Sequence, residues 1–405
     1  MKEAVPTLHW HRTLCAMVIV QFVIGMAFSI APPILALVLP SLGVSGAASV
    51  RSWAGLLIGI TPLAAALTSP LWGRLADRVD RRLILLIACA SAAVCTAAMS
   101  LAINPWQLLA LRFAMGLFGG HIAAGMSIVS SIAPPGRLGS ALGWLATGQL
   151  GGSLLGPLVG GSVADLFANY RTPFLAAGLA ALLVCGAIGV VPRPDRAAKS
   201  HSQPAARLRL LTRYRALPTF VVVLLLAQCA IMGPQPIVSL HVRELVGTRA
   251  DLATLAGFAF SVVGLSGLVA APLIGRLSDA VGAHKLLLAI VTSAALFTAA
   301  QAYAPSYAWF VAARFLAGLF LFSIIPMINA LVGKAVSEPD RGRAFGLTAG
   351  AAFLGAFVGP VSGGMLGAEL GLRAVFLASG AVLLATAALI GLRINHNAGE
   401  RIHDQ

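Results

Sequence analysis

In this 405-residue chain only 10% of residues are charged, and the few ionisable side chains set inside long apolar runs are the ones able to do chemistry there. Arg112, His121 and Arg314 are those three. A charge in an apolar interior is costly, so its presence marks a functional candidate. His121 would load and release protons near neutrality, because imidazole titrates at about 6.5. The alternative for a lone histidine is a satisfied core residue. Arg112 and Arg314 stay charged, so each either tunes a neighbouring titrating group or reaches outward along its stem as an anchor. None of the 13 acidic residues falls in the middle of an apolar run: Asp77, Asp80 and Asp279 lie in loops, Asp165 and Glu369 at run ends. No Walker-type phosphate loop, nucleophile, metal spacing or cofactor fingerprint stands out, so neither an enzyme nor a bound cofactor is expected.

The elements that must carry these groups are membrane-spanning helices. Apolar residues make up 59% of the chain and mean hydropathy is +0.91, more than a soluble domain of this length buries. Runs of about 20 apolar residues recur, each long enough to cross a hydrocarbon core of about 30 Å. Backbone groups in lipid must be satisfied within the segment, and the runs are too long and uniform for barrel strands, so twelve helices are expected. They cover 13–39, 53–72, 83–102, 106–130, 141–164, 172–191, 217–240, 253–274, 286–304, 307–333, 344–367 and 374–392. The first is too long for the core of a cleavable signal and reads as a retained helix.

Lys and Arg set the orientation. With both termini cytoplasmic, 21 of the 28 basic residues fall on the cytoplasmic side and five (Arg51, Arg171, Arg243, Arg249, Arg373) outside. The same bias explains the net charge of +15 through anionic lipid headgroups, without a nucleic-acid partner. All six tryptophans lie near helix ends, where an amphipathic ring sits best. The five cysteines lie within apolar runs and read as small packing residues.

The chain is duplicated. GRLADRVDRRLILL from Gly73 and GRLSDAVGAHKLLL from Gly275 are near copies, 202 residues apart. Pro70 and Pro272, Arg112 and Arg314, and Phe174 and Phe376 keep that offset, while LGPLVGG from Leu155 matches VGPVSGG from Val358 at 203. Six spans per copy give two parallel bundles related by an axis along the membrane normal, with a cavity expected between them. The expected organisation is a six-helix bundle over 1–191, a basic cytoplasmic linker over 192–216 and a second bundle over 217–405.

Two motifs stand out. In GQLGGSLLGPLVGG, Gly148, Gly152, Gly156 and Gly160 recur every four residues and bare one helix face for close packing, with Pro157 and Gly161 beside them. GRLADRVDRR resembles the loop signature of the major facilitator superfamily, usually written G-x-x-x-D-R-x-G-R-R. Gly73, Asp77, Arg78, Arg81 and Arg82 match it, and Asp80 stands where the second glycine is usual. The second copy keeps Gly275, Asp279, Gly282 and Lys285 but has Ala280 at the first arginine position. Physically such a loop is a conformational latch: Asp77 can face a helix N-terminus or an arginine, and the arginines can pair with acidic groups or phosphates. The plainer alternative is a basic loop that only enforces topology.

Most of the chain is also similar to bacterial multidrug-efflux members of the drug:proton antiporter branch, through LHWHRTL, AFSIAPPILALVLPSLGVSG, FLAAG and FLASG. The glycine motif resembles that branch's fifth-helix signature. The resemblance implies an inner-membrane exporter of amphipathic compounds driven by proton entry, with Arg112 at the arginine the family connects with proton transfer. It also directs attention to the first, fourth, seventh and tenth spans, where Gln21, His121, Gln228, Gln235 and Asn329 are polar and Phe28 and Phe113 offer apolar surface. Pro32, Pro33, Pro234 and Pro236 are expected to kink matching helices of the two copies. The expected partners are a small-molecule substrate, protons and the bilayer, and the expected state is a monomer. The alternatives are a carrier for a specific sugar or organic anion, or a membrane receptor that moves nothing.

Overall fold

The computed structural model describes residues 7–76, 79–134, 136–190, 210–214 and 216–403. Among them there is no strand; the chain is helical almost throughout. In the first half lie α1 (Thr7–Ser29), α2 (Ala31–Val38), α3 (Ala47–Ala76), α4 (Arg81–Met99), α5 (Pro105–Leu117), α6 (His121–Ile132), α7 (Leu138–Leu166) and α8 (Thr172–Cys185). The second half holds α9 (Leu217–Met232), α10 (Val238–Val246), α11 (Leu252–Val281), α12 (Ala283–Ala300), α13 (Tyr307–Ala335), α14 (Arg341–Leu370) and α15 (Leu372–His403).

Local chemistry sets several helix starts. Asn104 accepts from the Gln107 amide with Pro105 in the first turn, Ser306 accepts from Trp309, and Asp80 accepts from Arg82 at 2.9 Å. Asp80, which displaces a usual glycine, is therefore the N-cap of α4.

Three spans expected as single helices are broken. The first is interrupted at Ile30, just before Pro32 and Pro33, and the seventh by a 3₁₀ turn, Gln235–Ile237, that carries Pro236. Missing amide donors and the proline rings force both breaks. The fourth is split at Phe118–Gly120, where paired glycines weaken the helix without any proline. By contrast α7 and α14 run on through Pro157 and Pro360.

Eleven described segments are long and apolar enough to cross a membrane. The twelfth expected span, 141–164, is α7, helical over 29 residues but diluted in apolar content by its glycines.

Packing resolves the chain into two compact units. One comprises Met1–Ser45, Ile60–Ser200 and Thr248–Ser261; the other comprises Gly46–Gly59, His201–Gly247 and Val262–Gln405. In the first, α1 lies along α7 and α4 along α8. In the second, α9 pairs with α14 and α12 with α15 around a core that includes Leu224, Ile290, Ile328 and Leu383.

The glycine face explains the α1–α7 pairing. A Cβ at Gly148 would stand 2.6 Å from the Val18 carbonyl, and Gly152, Gly156 and Gly160 meet Phe22, Met26 and Ile30 in turn. No real side chain fits there without moving a helix. Gly355, Gly359 and Gly363 repeat the arrangement on α14, against Leu225, Cys229 and Gly233 of the α9 segment.

Candidate functional site

Two buried polar clusters contain the embedded ionisable groups. In the first unit, Gln21 on α1 is 1% exposed and donates from Nε2 to the His121 carbonyl at 3.3 Å. His121 is the first residue of α6, so the break in the fourth span places it. Its ring stacks on Phe28 with centroids 5.0 Å apart. Gly125, one turn on, lets the Gln21 amide lie against α6, since any Cβ there would strike it.

Gln21 Oε1 and His121 Nδ1 are buried with no hydrogen-bond partner. Each such orphan costs about 1–3 kcal/mol. The structure thus brings Gln21, Phe28 and His121 together. Arg112 is buried on α5, where Thr61 of α3 donates to its backbone carbonyl at 3.0 Å; Phe113 beside it is half-buried.

In the second unit, Arg314 of α13 is buried and donates from Nη1 to Gln301 Oε1 at 3.3 Å, and its guanidinium lies 5.6 Å from the centre of the Phe310 ring. Across that ring is His241, 4% exposed, in the first turn of α10. Phe310 and Phe376 meet it edge-on, at centroid distances of 4.9 and 5.2 Å. Nδ1 stands 3.6 Å from Oε2 of Glu244, one turn along α10. Glu244 is itself 4.0 Å from Arg51, whose Nη1 donates to the Gly367 carbonyl at 2.9 Å in the last turn of α14.

Sequence reasoning missed this cluster. It ended the seventh span at residue 240 and took His121 as the only deeply embedded histidine, with no acid inside a span. The broken helix continues through Val246, however, and draws His241 and Glu244 into the span Leu217–Val246. The available signal was the i,i+3 spacing of histidine and glutamate, which puts both on one helix face.

Gln228 buries Oε1 without a hydrogen-bond partner, and Gln235 and Asn329 are half-buried.

The glycine motif extends past α1. Gly161 and Pro157 abut Ala253 and Gly257 of α11, within the first unit. At the end of the same helix Asp165 accepts from the amides of Ala253 at 3.1 Å and Thr254 at 2.6 Å. A carboxylate thus caps the positive N-terminus of α11, while the Arg51 guanidinium caps the negative C-terminus of α14.

Of the loop signature, Gly73 falls within α3, while Asp77, Arg78 and the side chain of Asp279 lie outside the described residues. Arg81 starts α4, and Arg82 Nη2 donates to the Gly189 carbonyl at 2.6 Å, tying the loop to the 3₁₀ turn after α8. At the end of the expected linker Arg213 and Tyr214, together with Arg343 of α14, all donate to the buried Asp340 carboxylate at 3.0–3.3 Å. Among the described residues no group of three or more His, Cys, Asp or Glu side chains could hold a metal ion.

Comparison with known proteins agrees with this architecture. A family model described as Major Facilitator Superfamily matches residues 17–254 and 236–402. The chain is 33% identical to the multidrug resistance protein MdtG of Enterobacter lignolyticus, over 96% of this chain and 93% of that one. It is 32% identical to MdtG of Escherichia coli O81, over 94% of both. Among solved structures, a bacterial homologue of the human lysosomal transporter Spinster superposes with a TM-score of 0.79 at 16% identity, covering 96% of this chain and 97% of that one. The nucleoside transporter NupG gives 0.77 at 14% identity, covering 94% and 98%. At those identities the likeness is one of fold.

Proposed function

Because the chain belongs to the major facilitator superfamily, a multi-pass inner-membrane secondary transporter and not an enzyme, we propose that it exports amphipathic, drug-like compounds in exchange for protons by alternating access. The observation that carries the reading is the full-length similarity to proteins named for multidrug resistance. The Gln21–Phe28–His121 cluster supports it. One aromatic face and two orphaned polar atoms, with no fixed charge pair, suit varied solutes better than a dense hydrogen-bonding site would.

In this reading Gln21, Phe28, Phe113, Gln228, Gln235 and Asn329 line the substrate path, and Arg112, His121 and Arg314 set the charge balance for proton movement. The loop signature (Gly73, Asp77, Arg78, Arg81, Arg82, with Asp279 in its second copy) latches one conformation. The glycine face from Gly148 to Gly161 favours exchange over uniport. Both termini are cytoplasmic, the basic loops rest on anionic headgroups, no nucleic acid is bound, and the transporter works as a monomer.

The test is ethidium extrusion from proteoliposomes under an imposed pH gradient. Extrusion that collapses with the gradient, together with ethidium-dependent proton movement, is expected. Ethidium flux indifferent to the gradient would sink proton exchange, and no flux of ethidium or similar dyes would sink the export reading.

A further inference from the structure

We propose that His241 and Glu244 form a proton-binding pair in the second unit, with Glu244 as the entry point and His241 as the buried carrier. This deepens the proton-exchange reading above and rests on it. The geometry is that of a site poised between two states. His241 is 4% exposed, and neither ring nitrogen has a hydrogen-bond partner, although imidazole must present at least one donor. Its Nδ1 lies 3.6 Å from Glu244 Oε2, too long for a hydrogen bond and close enough to become one with a small rotation. Glu244 is 55% exposed and lies near the end of its span, so the carboxylate that the histidine faces opens outward from the buried ring.

The proton ledger balances without another reactant. The Glu244 carboxylate takes a proton from hydronium, leaving water; the proton passes to Nδ1 of neutral His241; an imidazolium then stands beside an ionised carboxylate. Release reverses the path.

The surroundings supply both a holding force and an opposing one. Glu244, the negative group beside the ring, favours the imidazolium. Against it stand burial itself, which strips a charged ring of water, and then the positive charges of Arg373 and Arg314, while Arg51 competes for Glu244 from 4.0 Å. A proton arriving on His241 therefore pushes on Arg314, which donates to Gln301 on the neighbouring segment at 3.3 Å. Loading is thereby coupled to how α13 seats.

The primary test needs no substrate. In purified protein with 13C-labelled histidine, the ring resonance lost in His241→Gln identifies His241, and His241→Asn repeats the assignment if the first variant folds poorly. Across a titration from acid to alkaline pH, wild-type His241 is expected to change protonation state. In Glu244→Gln its midpoint should fall by about half a unit or more, a threefold loss of proton affinity, because the negative partner is gone. A ring that stays neutral across that range, or a midpoint indifferent to Glu244→Gln, overturns the proposal.

Ethidium transport in proteoliposomes supplies a second arm. In His241→Gln and Glu244→Gln, gradient-driven extrusion should fall about tenfold or more relative to gradient-free ethidium exchange. Equal loss of both would mean a structural role and would overturn the pair. A wild type that moves no ethidium would count against drug export, and the titration would still decide the pair.

Discussion

The two buried arginines occupy equivalent places in the duplicated chain, 202 residues apart, yet they sit in different chemistry. The backbone crossing beneath them is the same. Gly116, one turn after Arg112, lies against Thr61 and Ala64 of α3; Gly318, one turn after Arg314, lies against Val263 and Ser266 of α11. What differs is the polar company. Arg314 has Gln301 as acceptor and Phe310 under its guanidinium, where the first copy carries Met99 and Leu108, both buried. The stretch corresponding to His241 holds Val38 and Leu39, buried and apolar. Duplication therefore fixed the helix crossings, which depend on glycines and cannot drift cheaply. Polar side chains could diverge, because a buried position tolerates an apolar replacement once every partner changes with it.

If the crossings are the shared framework, breaking one should be the most damaging change and should hurt the two copies alike. Gly152→Val and Gly355→Val each drive a branched side chain into a backbone carbonyl, of Phe22 in one case and Leu225 in the other. Neither carbonyl can retreat without displacing a helix. The expected result is a loss of about tenfold or more in folded, monodisperse protein for either variant, read by size-exclusion fluorescence, since overpacking costs of about 1–3 kcal/mol are exceeded when backbone must move. One copy tolerating valine would show that the glycine faces are not equivalent.

The arginine sites should then respond unequally. Gln301→Met installs the first copy's residue and removes one acceptor of a buried guanidinium, at an expected cost of about 1–3 kcal/mol in detergent thermal melting. A double-mutant cycle with Arg314→Met should recover about 0.5–3 kcal/mol of coupling, because each change then removes the other's unmet partner. Coupling near zero would mean that the Gln301 contact carries none of the difference between the copies.

What could be read from the sequence follows the same division. The helices, the duplication and the glycine face were legible because apolar length and four-residue spacing are local patterns with a single structural meaning. Gln21 and His121, singled out on different spans, do meet, with Phe28 against the histidine ring. The second cluster was not legible. His241 lies just past a proline-marked break, and HVRELV reads as a loop entrance when hydropathy alone decides where a span stops. Asp80 was noticed as a missing glycine, but its capping of α4 depends on backbone geometry that residue identity does not reveal. Asp165 was recognised as lying at a helix end; the amides it caps belong to residues 88 and 89 positions away.

That last contact gives the smallest and sharpest comparison, between two charges that cap opposite helix ends. Asp165 accepts two amide hydrogen bonds at the N-terminus of α11, whereas Arg51 gives one bond to a carbonyl in the last turn of α14 and shares its charge with a distant Glu244. Charge-assisted bonds are roughly twice as strong as neutral ones, and a pair held at 4.0 Å with one half-exposed partner contributes about 0–1 kcal/mol. Asp165→Asn keeps an acceptor but loses the charge and one bond, so about 1 kcal/mol of stability should be lost. Arg51→Gln should cost less, because water can replace part of what the guanidinium does. Thermal melting of the two variants in the same detergent decides it. A larger loss for Arg51→Gln would place the dominant cap on α14, and would mean that the guanidinium's contact with Glu244 contributes more to holding that helix end than its length suggests.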